Sequence, residues 1–85
     1  MNSEHIRYFL EVVKYGSINK ASEKLNINHQ HLGRILTSLE NEIGAKLLER
    51  NRVGVTLTPQ GIEAIEIMRE LYHKISSLSR QKNKV

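Results

Sequence analysis

The sequence predicts a small, mainly α domain: a three-helix core, a two-stranded hairpin and a long final helix. Three patterns predict it. Apolar residues recur at helical spacing in three successive segments, each bounded by residues that cap helices. Two short β-prone runs then flank Asn51-Arg52-Val53-Gly54. After Thr58-Pro59, one helical pattern continues to about Arg80.

The first helix is expected to start at Ser3, a good N-cap, with Glu4 in the first turn where it complements the helix dipole. Ile6, Phe9, Leu10 and Val13 form its apolar stripe. Phe9 is the only phenylalanine and there is no tryptophan, so Phe9 is the natural centre of a small core. Gly16 ends this helix, because glycine tolerates the positive φ of a helix C-terminus. Ser17 caps a second, short helix in which Ile18, Ala21, Ser22 and Leu25 share a face. The small residues Ala21 and Ser22 allow another helix to pass closely. In the turn Asn26-Ile27-Asn28, Ile27 plugs the space between helices and Asn28 caps the next one.

The segment from Asn28 to Ile43 puts Leu32, Leu36, Leu39 and Ile43 on one face. The opposite face shows Gln30, Arg34, Thr37 and Asn41, with His29 and Gly33 on its shoulder. Long donors and acceptors with small side chains between them suit a DNA major groove, where Arg and Gln can bond base edges in pairs. The plain alternative is an amphipathic helix with a solvated face. Two helices joined by so short a turn, the second exposing Arg and Gln, favour a helix-turn-helix.

Gly44 closes that helix. Leu47 to Arg50 and Val55 to Leu57 read as strands of a hairpin, with Arg50 and Arg52 expected to project from its tip. A flap carrying arginines directly after such a helix is a wing, suited to phosphates or to the adjacent minor groove. Otherwise these are two surface arginines on a solvated turn.

Thr58 then caps a helix that has Pro59 at its first position. Its apolar residues, Ile62, Ala64, Ile65, Ile67, Met68, Leu71, Tyr72, Ile75 and Leu78, cover half its circumference or more, wider than a surface helix requires. Glu66 with Arg69, and Glu70 with Lys74, are spaced to pair on the outer side. So small a domain cannot bury the far end of this helix. The surplus predicts a partner, most simply the same helix of a second chain, with Ile65, Met68, Leu71, Tyr72, Ile75 and Leu78 on the pairing surface. The tail SRQKNKV is basic, polar and expected to fray.

Composition narrows the class. The chain has 85 residues, a length at which a single core is marginal, and no cysteine to supply disulfides or a thiolate metal site. No apolar run approaches the roughly 18 residues that span a bilayer, and the N-terminus has no signal-peptide pattern. A cytoplasmic protein with no membrane contact is expected. The net charge of +4 favours an anionic partner such as nucleic acid. Catalysis has little support, since the glutamates lie on solvated faces and no pair of titrating groups is positioned. His29 and His31 are two apart on a helix and so point about 200° from each other, unable to share a metal ion. His5 and His73 read as surface residues. No metal, cofactor or enzyme activity is therefore expected.

GSINKASEKL, the helix from Asn28 through Leu39-Glu40, Ile43-Gly44-Ala45-Lys46-Leu47-Leu48-Glu49-Arg50 and Leu57-Thr58-Pro59-Gln60-Gly61 resemble, in order and spacing, the N-terminal region of LysR-type transcriptional regulators. The resemblance covers nearly the whole chain. It implies a winged helix-turn-helix over residues 1–58 and a linker helix over 59–85 that pairs antiparallel across a homodimer. It also implies double-stranded DNA as the partner and a nucleoid-associated place in the cytoplasm. A larger effector domain normally follows, so a DNA-binding fragment that itself takes no small molecule is expected. Ser17 matches a hydroxyl position that faces a phosphate; His29, Gln30, Gly33 and Arg34 match base-reading and phosphate positions of the recognition helix; Arg50 and Arg52 match the wing.

The departures concern the same surface. The family usually has Gln at His29, Ser at Gly33, Gln at Ile35, Phe at Leu48 and Ala at Ser22. Gly33 lacks a hydroxyl that would touch DNA, and it weakens the helix by about 1 kcal/mol relative to Ala. An unusual sequence preference is implied. The competing reading from another class is a winged-helix protein-interaction module.

Overall fold

The computed structural model describes residues 2–83, with side-chain surroundings through residue 78. Helix α1 (Ser3–Tyr15) starts one residue earlier than expected, because Asn2 rather than Ser3 is the cap: its Oδ1 accepts a hydrogen bond from His5 N at 2.9 Å. Gly16 ends α1 in the left-handed conformation and returns its N–H to Val12 O. Ser17 Oγ then caps α2 (Ile18–Leu25) by accepting from Lys20 N. Asn26, left-handed, closes α2, and Asn28 Oδ1 caps α3 (His29–Ile43) by accepting from both Gln30 N and His31 N. Each helix start thus rests on a side chain that accepts from amides the helix cannot satisfy, and the ends of α1 and α2 rest on left-handed residues whose own N–H groups return to helix carbonyls.

Strands β1 (Leu48–Arg50) and β2 (Val55–Leu57) pair antiparallel, with Leu48 opposite Leu57 and Arg50 opposite Val55. Asn51 Oδ1 holds the turn between them by accepting from Val53 N and Gly54 N. The last helix, α4 (Pro59–Asn83), opens with Thr58 Oγ1 accepting from Gly61 N. The segment expected to fray continues α4 through Asn83; Lys84 and Val85 lie outside the described residues.

Phe9 sits at the centre of the core, fully buried with Val12, Ala21, Leu32, Leu36 and Leu39. The inner face of α3 is set differently from the expected one. Ile35 is buried and joins it, whereas Ile43, in the last turn before Gly44, is exposed. Leu10 and Val13 of the α1 stripe are half-buried at its margin.

The hairpin is fixed to this core from three sides. Glu40, on α3, accepts hydrogen bonds from Leu47 N and Leu48 N at 2.7 and 3.0 Å, and both leucine side chains are buried. Thr58 N donates to Leu47 O, and Thr58 Oγ1 donates to Lys46 O, tying the start of α4 to the start of β1. Val55 N donates to Gly16 O. Gly54 lies against that same Gly16 carbonyl, so closely that a Cβ there would collide with it. The wing is therefore held against both the α1–α2 corner and α3.

Beyond its first turns α4 extends past the core. At about 1.5 Å per residue it is far longer than the bundle it leaves, and the molecule measures 47 × 27 × 19 Å. Past Ile62, which is exposed in the first turn, the large apolar residues of α4 divide between two faces about 100° apart. Ile65 and Met68 are 6% and 5% exposed and pack on the core, with Tyr72 half-buried behind them. Ile67, Leu71 and Leu78 are 68%, 41% and 64% exposed, and Ile75 is half-buried on their side. Three of the six residues expected on a pairing surface therefore belong to the chain's own core: Ile65, Met68 and Tyr72. Leu71, Ile75 and Leu78 remain outside, and Ile67 joins them. Lys46 and Glu49 form an ion pair at 4.0 Å, whereas neither Glu66–Arg69 nor Glu70–Lys74 does. Exposed pairs of this kind contribute about 0–1 kcal/mol, so solvent competes for them easily.

Candidate nucleic-acid interface

The inward turn of Leu32, Ile35, Leu36 and Leu39 forces the other side of α3 outward. An open groove runs along that side between α3 and the N-terminus of α2. His29, Gln30, Gly33, Arg34, Thr37 and Arg50 all line it. A second groove adjoins it between Ser17 and the hairpin turn, lined by Ser17 and Arg52 and sharing Ile18, Asn19 and Arg50 with the first. All eight residues singled out for nucleic-acid contact thus line one continuous surface.

Within it, His29, Gln30 and Arg34 are exposed on the first turns of α3. Asn19, Ser38 and Asn41 also line the groove. Asn41 stood on the predicted polar face, but Asn19 and Ser38 carried no signal of their own. They are ordinary polar residues whose position depends on how α2 packs against α3.

Arg50 is not where the sequence put it. It does not project from the hairpin tip but sits on β1, opposite Val55, and its guanidinium lies back on α3. Nη2 donates to Thr37 Oγ1 at 3.3 Å and to Gly33 O at 3.4 Å. The reason is the anchoring of β1: with Leu48 buried and bonded to Glu40, residue 50 emerges beside the exposed face of α3. Arg52 alone stays in the turn, exposed.

The histidines stand apart from this surface except for His29. His31 is exposed on another side of α3 and His73 on α4, where its ring meets Tyr72 edge-on at 6.4 Å. His5 is not a plain surface residue: it is half-buried, and its Nδ1 is shielded from solvent without a hydrogen-bond partner. Among the described residues, no group of three His, Cys, Asp or Glu could hold a metal ion, and no helix is long and apolar enough to cross a membrane.

Residues 3–62 match the family model described as bacterial regulatory helix-turn-helix protein, lysR family. The chain belongs to the LysR family. BenM of Acinetobacter baylyi is 44% identical over 61 residues, which are 72% of this chain and 20% of that protein. ClcR of Pseudomonas putida is 33% identical over 84 residues, 99% of this chain and 28% of that protein. Both are named HTH-type transcriptional regulators. The chain spans between 20% and 36% of the length of such relatives.

Solved structures agree with the winged helix-turn-helix architecture. A crystal structure of a BenM DNA-binding domain in complex with catB site 1 DNA superposes with a TM-score of 0.90 at 33% identity, covering 99% of this chain and 94% of that one. A complex of the CbnR DNA-binding domain with DNA gives 0.88 at 26% identity, covering 99% and 95%. Full-length BenM gives 0.87 at 34% identity, covering 98% of this LysR-family chain and 27% of that one.

Proposed function

We propose that this chain is the sequence-reading, double-stranded-DNA-binding part of a LysR-type transcriptional regulator and works as a homodimer. Residues 1–58 form the reading unit and 59–85 the pairing unit. The observation that carries the reading is the α3 groove: Gln30 and Arg34 stand exposed on its first turns, with Arg34 and Arg50 in the groove and Arg52 in the one beside it. Inserted in a major groove, His29, Gln30 and Arg34 meet base edges, which a guanidinium or carboxamide can bond in pairs. Ser17, at the N-terminus of α2, and Arg52, on the wing, lie to one side of α3, where the backbone or the adjacent minor groove passes. Gly33 and Thr37 let the backbone of α3 approach closely. The likeness to the BenM and CbnR DNA-binding domains, each solved in complex with DNA, supports double-stranded DNA as the partner.

Pairing follows from Ile67, Leu71, Ile75 and Leu78, which form a continuous apolar stripe along α4. Two chains joined through it carry two copies of α3, suited to major grooves one or two helical turns apart on an interrupted inverted repeat.

The test is in vitro selection of bound duplexes followed by titration across salt concentrations. Affinity is expected to fall with salt at a slope near −0.9 per phosphate neutralised. Arg34→Ala is expected to lose about 1–3 kcal/mol on the selected duplex and to relax its sequence preference. A chain that binds no duplex at low salt yet retains a protein partner is an interaction module instead.

A further inference from the structure

Thr37 stands in the middle of α3 on its exposed side. A threonine in a helix can return its hydroxyl proton to the carbonyl four residues back, and Thr37 Oγ1 donates to Gly33 O at 3.1 Å. With that proton committed, the oxygen turns its lone pairs outward. Arg50 Nη2 occupies them at 3.3 Å and reaches Gly33 O at 3.4 Å. Gly33 has no Cβ, so the guanidinium lies directly over the helix surface; a Cβ there would sit 3.7 Å from Nη1, in ordinary contact. One end of the guanidinium is thus tethered to α3 through a single nitrogen. Among the described residues no acceptor is bonded to Nη1 or Nε. The two acceptors that Nη2 serves lie 3.1 Å apart and can share one of its hydrogens, which leaves its second N–H free to form a two-donor edge with Nε–H or Nη1–H in the groove that also holds Gln30 and Arg34.

A planar fork presenting its free edge from a fixed seat matches two acceptors side by side, the pattern that guanine N7 and O6 offer in the major groove. A phosphate-tracking arginine needs no such seat. We infer that Arg50 is a specificity-determining residue: it reads one further base position of each half-site from the major groove, and Thr37 is the positioning residue that holds it there. This rests on α3 being the helix inserted in that groove. It changes the role the wing suggests for Arg50, from strengthening all binding alike to choosing among sequences.

The experiment is selection of bound duplexes by the wild-type chain and by Arg50→Ala, Arg50→Lys, Thr37→Val and Thr37→Ser, with affinities measured on the selected duplex and on each single-base variant. Arg50→Ala is expected to flatten the preference at one position of each half-site, with roughly 5- to 100-fold of discrimination lost there. Arg50→Lys keeps the charge but not the fork, so it is expected to flatten the same position by a larger factor than it weakens binding to mismatched duplexes. Thr37→Val is expected to weaken that same preference, Thr37→Ser to restore it, and Thr37→Val to add nothing once Arg50 is alanine. Both side chains are exposed, so thermal unfolding is expected to be unchanged. An Arg50→Ala loss equal on every duplex, with the salt slope falling by about 0.9, makes Arg50 a phosphate contact and overturns the inference. Additive effects of the two positions remove Thr37 from the positioning role. A wild-type chain that selects no sequence overturns the DNA reading and this inference together, whereas a selected sequence that Arg50→Ala leaves unaltered overturns only this inference.

Discussion

The two long helices treat their apolar residues in opposite ways. α3 places Leu32, Ile35, Leu36 and Leu39 inside the chain's own core and keeps a polar outer face, with Ile43 as the one apolar residue left out at its end. α4 has an inner face as well, in Ile65, Met68 and Tyr72, but carries a second apolar stripe on which Ile67, Leu71 and Leu78 are exposed and Ile75 is half-buried. A helix whose apolar surface is used within one chain presents polar chemistry to its surroundings. A helix with apolar surface left over favours association, because covering that surface stabilises at about 25 cal/mol per Å². Reading and pairing thus separate onto two helices, and each can be disturbed without the other.

The largest expected effect tests that separation on α4. Leu71→Glu places a carboxylate at the middle of the exposed stripe, and a symmetric pair would bury it twice. Desolvating an unpaired charge costs several kcal/mol, so sedimentation is expected to show monomers where the wild-type chain shows dimers. Binding to a full inverted repeat should fall steeply while binding to a single half-site is retained. The same substitution should leave the melting of the isolated fold nearly unaltered, since Leu71 is exposed. An unchanged dimer would show that the pairing surface lies elsewhere.

Next in size is a change at the joint between the two functions. Gly61 is in the first turn of α4, where a Cβ would run into the carbonyl oxygen of Leu47 and sit 2.9 Å from Leu57 Cδ2. That carbonyl also accepts from Thr58 N, so it cannot move without loosening the hairpin. Gly61→Ala is expected to destabilise the fold by about 1–3 kcal/mol, the usual scale of overpacking, despite alanine's better helix propensity. Chemical denaturation checks it. An unchanged or raised midpoint would mean the joint is looser than its contacts imply.

The sequence disclosed most of this architecture because its signals are local. Gly16, Ser17, Asn28, Gly44 and Thr58 each act within a few residues of their place in the chain, and each marks the boundary that they were expected to mark. What stayed hidden depends on contacts between distant segments. Ile65 and Ile67 are equally apolar, and which of them turns inward is decided by how α4 leans on α1. Arg50 is reached in sequence only through the hairpin, yet its seat is formed by Thr37 and Gly33, residues 13 and 17 positions earlier. Neither Asn19 nor Ser38 has any pattern that would mark it before α2 is packed on α3. Asn2 displaced Ser3 as the first cap for a smaller reason: both are good capping residues, and adjacent candidates are hard to rank from propensity alone.

The smallest expected effect compares Gly33 with Gly61, the two glycines inside helices. Gly61 is required by the backbone it touches, but Gly33 has only the guanidinium tip of Arg50 within reach of a Cβ, at 3.7 Å. Helix propensity should therefore decide its substitution. Gly33→Ala is expected to stabilise the fold by about 0.5–1 kcal/mol, a rise of roughly 2–8 °C in Tm for a domain of this size. Because the contact with Nη1 would be ordinary, Arg50 should keep its bonds to Thr37 Oγ1 and the residue-33 carbonyl. A thermal melt that falls instead would mean that the guanidinium is pressed more tightly on α3 than its distances indicate, and that glycine here serves the seat of Arg50 rather than the helix.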